Sequence, residues 1–580
     1  MPPATSRRRF VQGLALASAA TVGAPSWVRG QKQGRDLVAL SGDDFDLTIG
    51  PIPINITGRS RMATAVNGSV PAPILRFREG DTVTLKVTNR LGEPTSIHWH
   101  GLRLPADMDG VPGLTFPGIM TGETFTYRFP VKQGGTYWYH SHSGMQEQTG
   151  LYGPLILEPA APPPYAYERD HVILLSDWTD EDPMTVVSNL KMRGDYYNFH
   201  RRTLGTFADD VRRKGLGATW RNWTMWGGMR MSPTDIMDVT GATYTFLVNG
   251  RPPAANWTGL FQPGERVRLR FINGSSMTTF DVRIPGLLLR VVAADGSDVA
   301  PVEVDQFRIG VAETYDVIVQ PRDERVYTIF AQAEDRTGYA RATLATRPGM
   351  AGTIPPMDPR PMRTMADMGM ASMAGMDMGG DAKPVGDMAD MPDMKMGGPA
   401  KTPSVNADHV DVAKLRGRVN VDNVAMKTRN RQAKAGAGLG GDGRRTLVYA
   451  DLKALTLDTA ARPADRDIVF HLTGNMQRWT WGFDGKKFSQ AGPIRVKLGE
   501  RVRFVLINDT MMEHPIHLHG FLFSLENGNQ GRLPLKHTVN VKPGERLSFV
   551  FTADTPGHWA FHCHLLYHME TGMFRTVLVA

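Results

Sequence analysis

The chain has 580 residues and a single cysteine, Cys563, so an intrachain disulfide is excluded and the thiol needs another explanation. Long apolar runs are also missing. Nothing reaches the roughly 18 consecutive apolar residues of a membrane-spanning helix, so no stable membrane insertion is expected. There is no compact basic stripe interleaved with aromatics, and part of the net charge of +8 lies in the N-terminal arginines and between Lys414 and Arg445. No nucleic-acid partner is therefore expected.

What is present begins with a leader. Ser6-Arg7-Arg8-Arg9-Phe10 is followed by a short run of small apolar residues from Gly13 to Ala20, the order of regions in a twin-arginine signal peptide over residues 1–30. This predicts export to the periplasm by the twin-arginine machinery. The length implies several domains.

A repeat organises the rest. Gly80-Asp81, Gly264-Glu265 and Gly499-Glu500 each open an alternating apolar stretch that reaches an asparagine, at Asn89, Asn273 and Asn508. Alternation with period two reads as a half-buried strand entered from a turn. Gly122-Glu123, Ala312-Glu313 and Gly544-Glu545 start a second set, 42 to 48 residues after the first. Three related β-sandwich domains follow, over 36–160, 165–346 and 444–580, with a low-complexity segment and linker over 347–443.

Eighteen residues after Gly80, Gly122, Gly499 and Gly544 stand His98, His140, His517 and His562, and each opens an H-x-H; the same step from Gly264 and Ala312 reaches Val282 and Phe330. Chance placement of 16 histidines would give roughly 0.4 such pairs. On a strand, residues i and i+2 share a face about 6.6 Å apart, so both rings of a pair can address one metal cluster. The eight ligands are His98, His100, His140, His142, His517, His519, His562 and His564. They exceed one ion's needs, and imidazole alone does not choose the metal.

Cys563 does choose. It lies between His562 and His564 and projects to the other face of their strand. His568 and Met573 follow, and His514 precedes His517. Two histidines, a thiolate and a weak thioether are the ligand set of a blue-copper electron-transfer centre. One covalent step then joins that centre to the histidine cluster, as an electron relay requires.

These residues resemble the four copper motifs of the multicopper oxidase family: His98-Trp99-His100-Gly101, His140-Ser141-His142, His514-Pro515-Ile516-His517-Leu518-His519-Gly520 and His562-Cys563-His564 with its tail. YHSHSGMQEQTGLYG (Tyr139 to Gly153), WGGMRMSPTDIMDVT (Trp226 to Thr240) and a Met-rich segment look like the periplasmic copper-resistance oxidases within it. The resemblance implies an all-β fold of three cupredoxin-like Greek-key sandwiches and four copper ions. It places type 1 copper on His514, Cys563, His568 and, axially, Met573. Type 2 falls on His98 and His517, and the type 3 pair on His100, His140, His142, His519, His562 and His564. Cu(I) or a phenol would be oxidised one electron at a time, with O2 reduced to two waters. Asp109 matches the family's acidic residue near the cluster; the competing reading is a plain Asp-Gly turn. Where many bacterial cuprous oxidases carry a second acid, directly after the last type 1 histidine, this chain has Met569.

Residues 350–396 hold 13 of the 31 methionines and seven aspartates. Such a stretch is expected to be loosely ordered. Thioether favours Cu(I), so it reads as a collector presenting Cu(I) to the type 1 site. Three functions fit this sequence. One is a Cu(I) oxidase of copper resistance, working beside other periplasmic copper-handling proteins. The others are a copper-sequestering protein and a laccase acting mainly on phenols.

Overall fold

The computed structural model describes residues 37–198, 200–369, 412–457 and 462–580. The leader and the Met-rich residues 370–396 lie outside the described residues. The strand Thr82–Asn89, opened by the first Gly-Asp, buries Val83, Leu85 and Val87 and exposes Thr82 and Lys86. Its equivalent in the middle repeat, Val267–Asn273, is buried on both faces, because the second sandwich is packed between the other two.

Each repeat closes with the same clamp. The Asn89 side-chain amide donates to the carbonyls of Glu93 and Ile119, Asn273 to Thr278 and Ile309, and Asn508 to Met512 and Val541, all at 2.7–3.0 Å. These asparagines are fully buried. Each satisfies two carbonyls that would otherwise be stranded where the strand ends, which ties the loop after it to the facing sheet.

The third sandwich has a six-stranded sheet in the order Thr480–Phe483, Arg466–Asn475, Arg501–Asn508, Arg546–Thr552, Phe523–Leu525, Leu535–Lys536. Facing it are Ile494–Val496, Phe574–Val579, Gly557–Cys563, His514–Leu518 and Thr538–Val541. The middle sandwich repeats this strand order in sheets of six and five. The first sandwich has sheets of five and four. One hydrophobic cluster runs through all three, from Phe45 to Val579.

The ligand-bearing strands are neighbours within their sheets. His98–His100 pairs with Gly135–His140, putting His98 opposite His140. His514–Leu518 pairs with Gly557–Cys563, putting His517 opposite His562 and Ile516 opposite Cys563. The middle domain keeps the strand pair, Phe280–Arg283 beside Tyr327–Ala333, but shifted by one residue, so that Val282 stands opposite Ala331 and Phe330 opposite Arg283, and the histidines are absent.

Two features depart from the sequence reading. The mostly β chain contains a helical excursion in the middle domain, Pro183–Met192, Leu204–Lys214 and Leu216–Gly228. The first of these helices starts where the Asp182 side chain accepts the Thr185 N–H at 3.0 Å, with Pro183 in its first turn. The other departure corrects the expectation of loose order from residue 350. Residues 350–369 form a strap whose Arg363 and Met368 are buried. Ion pairs hold it, Asp358 with Arg283 at 2.7 Å and Arg363 with Glu334 at 3.2 Å, so charges between the methionines do the anchoring. Among the described residues no helix is long and apolar enough to cross a membrane.

Candidate metal centre

The four H-x-H segments converge between the first and third sandwiches. Their rings interleave: His98 stacks on His519 and His100 on His517, each with centroids 3.8 Å apart. Ligand-capable atoms of three triads lie within 4.8 Å of one another, in the groups His98/His100/His517, His100/His140/His564 and His142/His519/His562. All eight rings are buried apart from His142, which is half-buried.

Neighbouring groups fix which nitrogen each ring presents. His98 Nδ1 donates to the Asp109 carbonyl at 2.7 Å, His517 Nδ1 to the His537 carbonyl at 2.7 Å, His140 Nδ1 to Glu147 at 2.6 Å and His562 Nδ1 to the Cys563 carbonyl at 2.9 Å. The Nε2 atoms of His98, His140 and His517 are left bare and buried. His100 is turned the other way: its Nε2 meets Thr538 Oγ1 at 3.2 Å and its Nδ1 is bare. His519 gives its Nδ1 proton to the Asp109 carboxylate at 2.8 Å, so its Nε2 faces that of His562 at 2.9 Å with no proton for either. Two lone pairs at that separation repel unless a cation lies between them.

Electrostatics point the same way. Burial first, and neighbouring imidazoles second, push His100, His140, His142, His517, His519 and His564 well below the ordinary histidine range. Burial lowers His562 to about 4. The cluster is thus a set of neutral nitrogen donors, as metal ligation requires.

On the other face of the last strand a second site forms. Cys563 Sγ lies 3.5 Å from His514 Nδ1 and 3.9 Å from His568 Nδ1, and the two nitrogens are 3.3 Å apart. Their Nε2 atoms are occupied, His514 by Thr510 at 2.7 Å and His568 by Asp238 at 2.6 Å. Met573 is fully buried, and its carbonyl accepts the Cys563 N–H at 3.1 Å. Burial pushes the thiol up, so a thiolate here needs a cation next to it. The donor set of both sites fits copper.

Every histidine expected as a ligand, and Cys563, lies in one of these two groups of side chains, and Asp109 stands on the cluster. Glu570, the acid after Met569, is exposed at a helix end. Sequence reasoning missed three supporting groups. Glu147 lies inside the quoted YHSHSGMQEQTGLYG motif, five residues after a ligand. Asp238 lies inside WGGMRMSPTDIMDVT but 330 residues from the ring it holds. Burial raises its carboxyl to about 7, against a hydrogen bond from Trp479. His537, which carries no motif, sits with its ring 4.7 Å from that of His100.

Residues 48–162, 169–349 and 461–580 each match the multicopper oxidase family. The chain is 55% identical to a copper resistance protein A homolog of Pseudomonas syringae pv. tomato, over all of both chains. It is 52% identical to copper resistance protein A of Escherichia coli over 99% of each, and 32% identical to the multicopper oxidase MmcO of Mycobacterium tuberculosis over 98% of this chain and 95% of that one. Among solved structures, Fet3p, a multicopper oxidase that functions in iron import, aligns with TM-score 0.64 at 20% identity over 93% of this chain and 90% of that one. A laccase from Botrytis aclada aligns with TM-score 0.61 at 20% identity, over 96% and 89%. With bare imidazoles gathered in one cluster, a Cys-His-His group one residue away, and this likeness over the full length, the chain belongs to the multicopper oxidase family.

Proposed function

We propose that the protein is a periplasmic Cu(I) oxidase of copper resistance that holds four copper ions. His514, Cys563, His568 and Met573 take type 1, and His98 and His517 take type 2. His100, His140 and His564 take one type 3 ion, and His142, His519 and His562 the other. Copper bound there supplies one-electron oxidation of substrate at the thiolate site and, at the cluster, four-electron reduction of O2 to two waters. What supports this most is the run His562 to His564: Cys563 faces His514 while its neighbours face the cluster, so copper held at the two places would be joined through one residue's backbone. Asp109 bridges the first and third sandwiches by accepting from His98 and His519. We assign it proton delivery to the cluster.

A cavity beside the thiolate site favours Cu(I) over a phenol as substrate. It is lined by Met231, Met476, Met511, Asp422 and Thr510, and by Trp481, whose ring stacks on His568 at 3.9 Å. Its volume is about 10 Å3, the room of one water or one ion and far too little for an aromatic ring. Soft thioethers beside a carboxylate suit Cu(I). The strap that leads into the Met-rich residues ends nearby. Gly369 accepts the Lys427 N–H at 2.9 Å, and Arg363 reaches Glu513, the neighbour of His514, at 3.6 Å. The leader motif supports export by the twin-arginine route.

The test is oxygen uptake by the copper-loaded protein with Cu(I) and with a phenol. Replacing Met231, Met476 and Met511 together by Leu is expected to lower kcat/KM for Cu(I) by about tenfold or more and to leave phenol oxidation unchanged. Uptake with neither substrate would sink the oxidase reading and favour sequestration. Equal loss with both would remove the cavity from the account.

A further inference from the structure

The middle sandwich has no ligand histidines, yet one of its hairpin tips is buried directly behind the cluster. Strands Leu289–Ala294 and Ser297–Val304 are joined by Asp295-Gly296, with φ of 47° and 74°. Two successive left-handed residues make the tight turn that suits a two-residue hairpin, and Asp-Gly is a preferred sequence for it. Such tips are normally solvated. This one is wedged between the other two sandwiches, with Asp295 fully buried.

On the first-sandwich side, Gly296 lies against Tyr137 and Gly135, so closely that a Cβ on it would overlap the Tyr137 ring. Both neighbours belong to the strand Gly135–His140. On the third-sandwich side, Asp295 Oδ2 accepts the N–H groups of His537 at 3.2 Å and Thr538 at 3.1 Å. Its other oxygen accepts the Thr314 N–H at 3.0 Å, which locks the carboxylate to its own domain. The Lys536 ammonium balances the charge, 3.1 Å from both Asp295 and Glu313.

The two residues held by Asp295 are those that orient two ligand rings. The His537 carbonyl takes the His517 Nδ1 proton at 2.7 Å, and Thr538 Oγ1 lies 3.2 Å from His100 Nε2 and 3.3 Å from His517 Nδ1. His100 is the ring that presents Nδ1 where His98, His140 and His517 present Nε2, and Thr538 is the group that turns it.

We infer that Asp295 is a positioning residue for the oxygen-reducing cluster: through the His537–Thr538 peptide it sets the tautomer and direction of His517 and His100, and so makes the ligand-free middle domain part of the metal site. The inference rests on reading that cluster as a copper site. It asks nothing of the thiolate site, which the hairpin tip does not touch.

Asp295→Asn tests it, since Asn tolerates the left-handed backbone and preserves the turn while removing the charge that holds both amides. Two readouts apply besides turnover. In copper-free protein, hydrogen exchange at the His537 and Thr538 amides should quicken by at least about tenfold relative to wild type. In copper-loaded protein, the type 2 electron paramagnetic resonance signal should weaken or change its hyperfine splitting, with copper affinity of the cluster down about 10–100-fold. The blue absorbance of the thiolate site should persist. Should Asp295→Asn fail to fold, Thr538→Val removes the hydroxyl beside His100 and His517 and is expected to give the same selective loss at the cluster. An unchanged type 2 signal in whichever variant folds would overturn the inference, as would equal loss of the blue and type 2 signals. A wild-type protein that shows the blue signal and no type 2 signal would instead defeat the four-copper reading, and this inference with it.

Discussion

The outer and middle sandwiches share the buried asparagine clamp, and they differ in what the equivalent strand pair carries. In the outer pair it carries H-x-H; in the middle one the corresponding positions are Val282 and Phe330. The middle domain nevertheless supplies a carboxylate toward each site, Asp238 to His568 and Asp295 to the peptide behind His517 and His100. A repeat that lacks the histidines thus stays in the assembly as the support that holds its neighbours' rings in place. Buried ligands need such support, because a ring with a free choice of tautomer presents the wrong nitrogen part of the time.

The largest effect expected within this comparison belongs to an outer-domain acid. Asp109→Asn keeps the shape and a weaker acceptor for His519 but removes the carboxylate. Oxygen reduction by the loaded protein should fall by about 10²–10⁴, with the blue signal intact and bleached normally by substrate. A variant that reduces oxygen at the wild-type rate would return Asp109 to a turn residue. Next comes the middle-domain acid at the other site. Asp238→Ala leaves His568 Nε2 without its partner, so bleaching of the blue signal by Cu(I) should slow by about 10–100-fold while reoxidation by oxygen keeps its rate. Slowing of both steps alike would make Asp238 a general structural residue and erase the division between the domains.

A further effect concerns the outer domains as a block. Burial lowers His100, His140, His142, His514, His517, His519, His562, His564 and His568 in the folded, copper-free protein. The unfolded chain, with ordinary histidines near 6.5, binds more protons below that pH than the folded one. Stability contributed by these groups is therefore whole above about pH 7 and falls as pH drops from about 6.5 toward 4, by up to about 1.4 kcal/mol per pH unit for each histidine. Tm of the copper-free protein followed from pH 8 to 5 should drop steeply in that window. A flat profile would show that the rings are solvated until metal arrives.

Much of this molecule is legible in its sequence. Strand alternation and the recurring Gly-Glu or Gly-Asp signal mark the repeat, the constant step to H-x-H marks the cluster, and the position of Cys563 marks the junction. These signals are local, each carried within about twenty residues. What stayed hidden is non-local. Asp238 and His568 meet only after folding, and nothing in Met237-Asp238-Val239 distinguishes a ligand's partner from a loop aspartate. Asp295-Gly296 reads as any hairpin turn, because its burial is a property of three packed domains. The partners of the two rings beside Cys563 differ in the same way: Thr510, four residues from His514, bonds it locally, while the carboxylate at His568 comes from a different domain.

The central claim is that Cys563 is the sole electronic junction between substrate and oxygen. Cys563→Ser, loaded with copper and mixed with Cu(I) in air, tests it most directly. The account predicts loss of the blue absorbance and of at least about 99.9% of oxygen uptake, a barrier increase of about 4 kcal/mol, with the type 2 signal retained. Oxygen uptake at a tenth or more of the wild-type rate, with the type 2 signal intact, would contradict it.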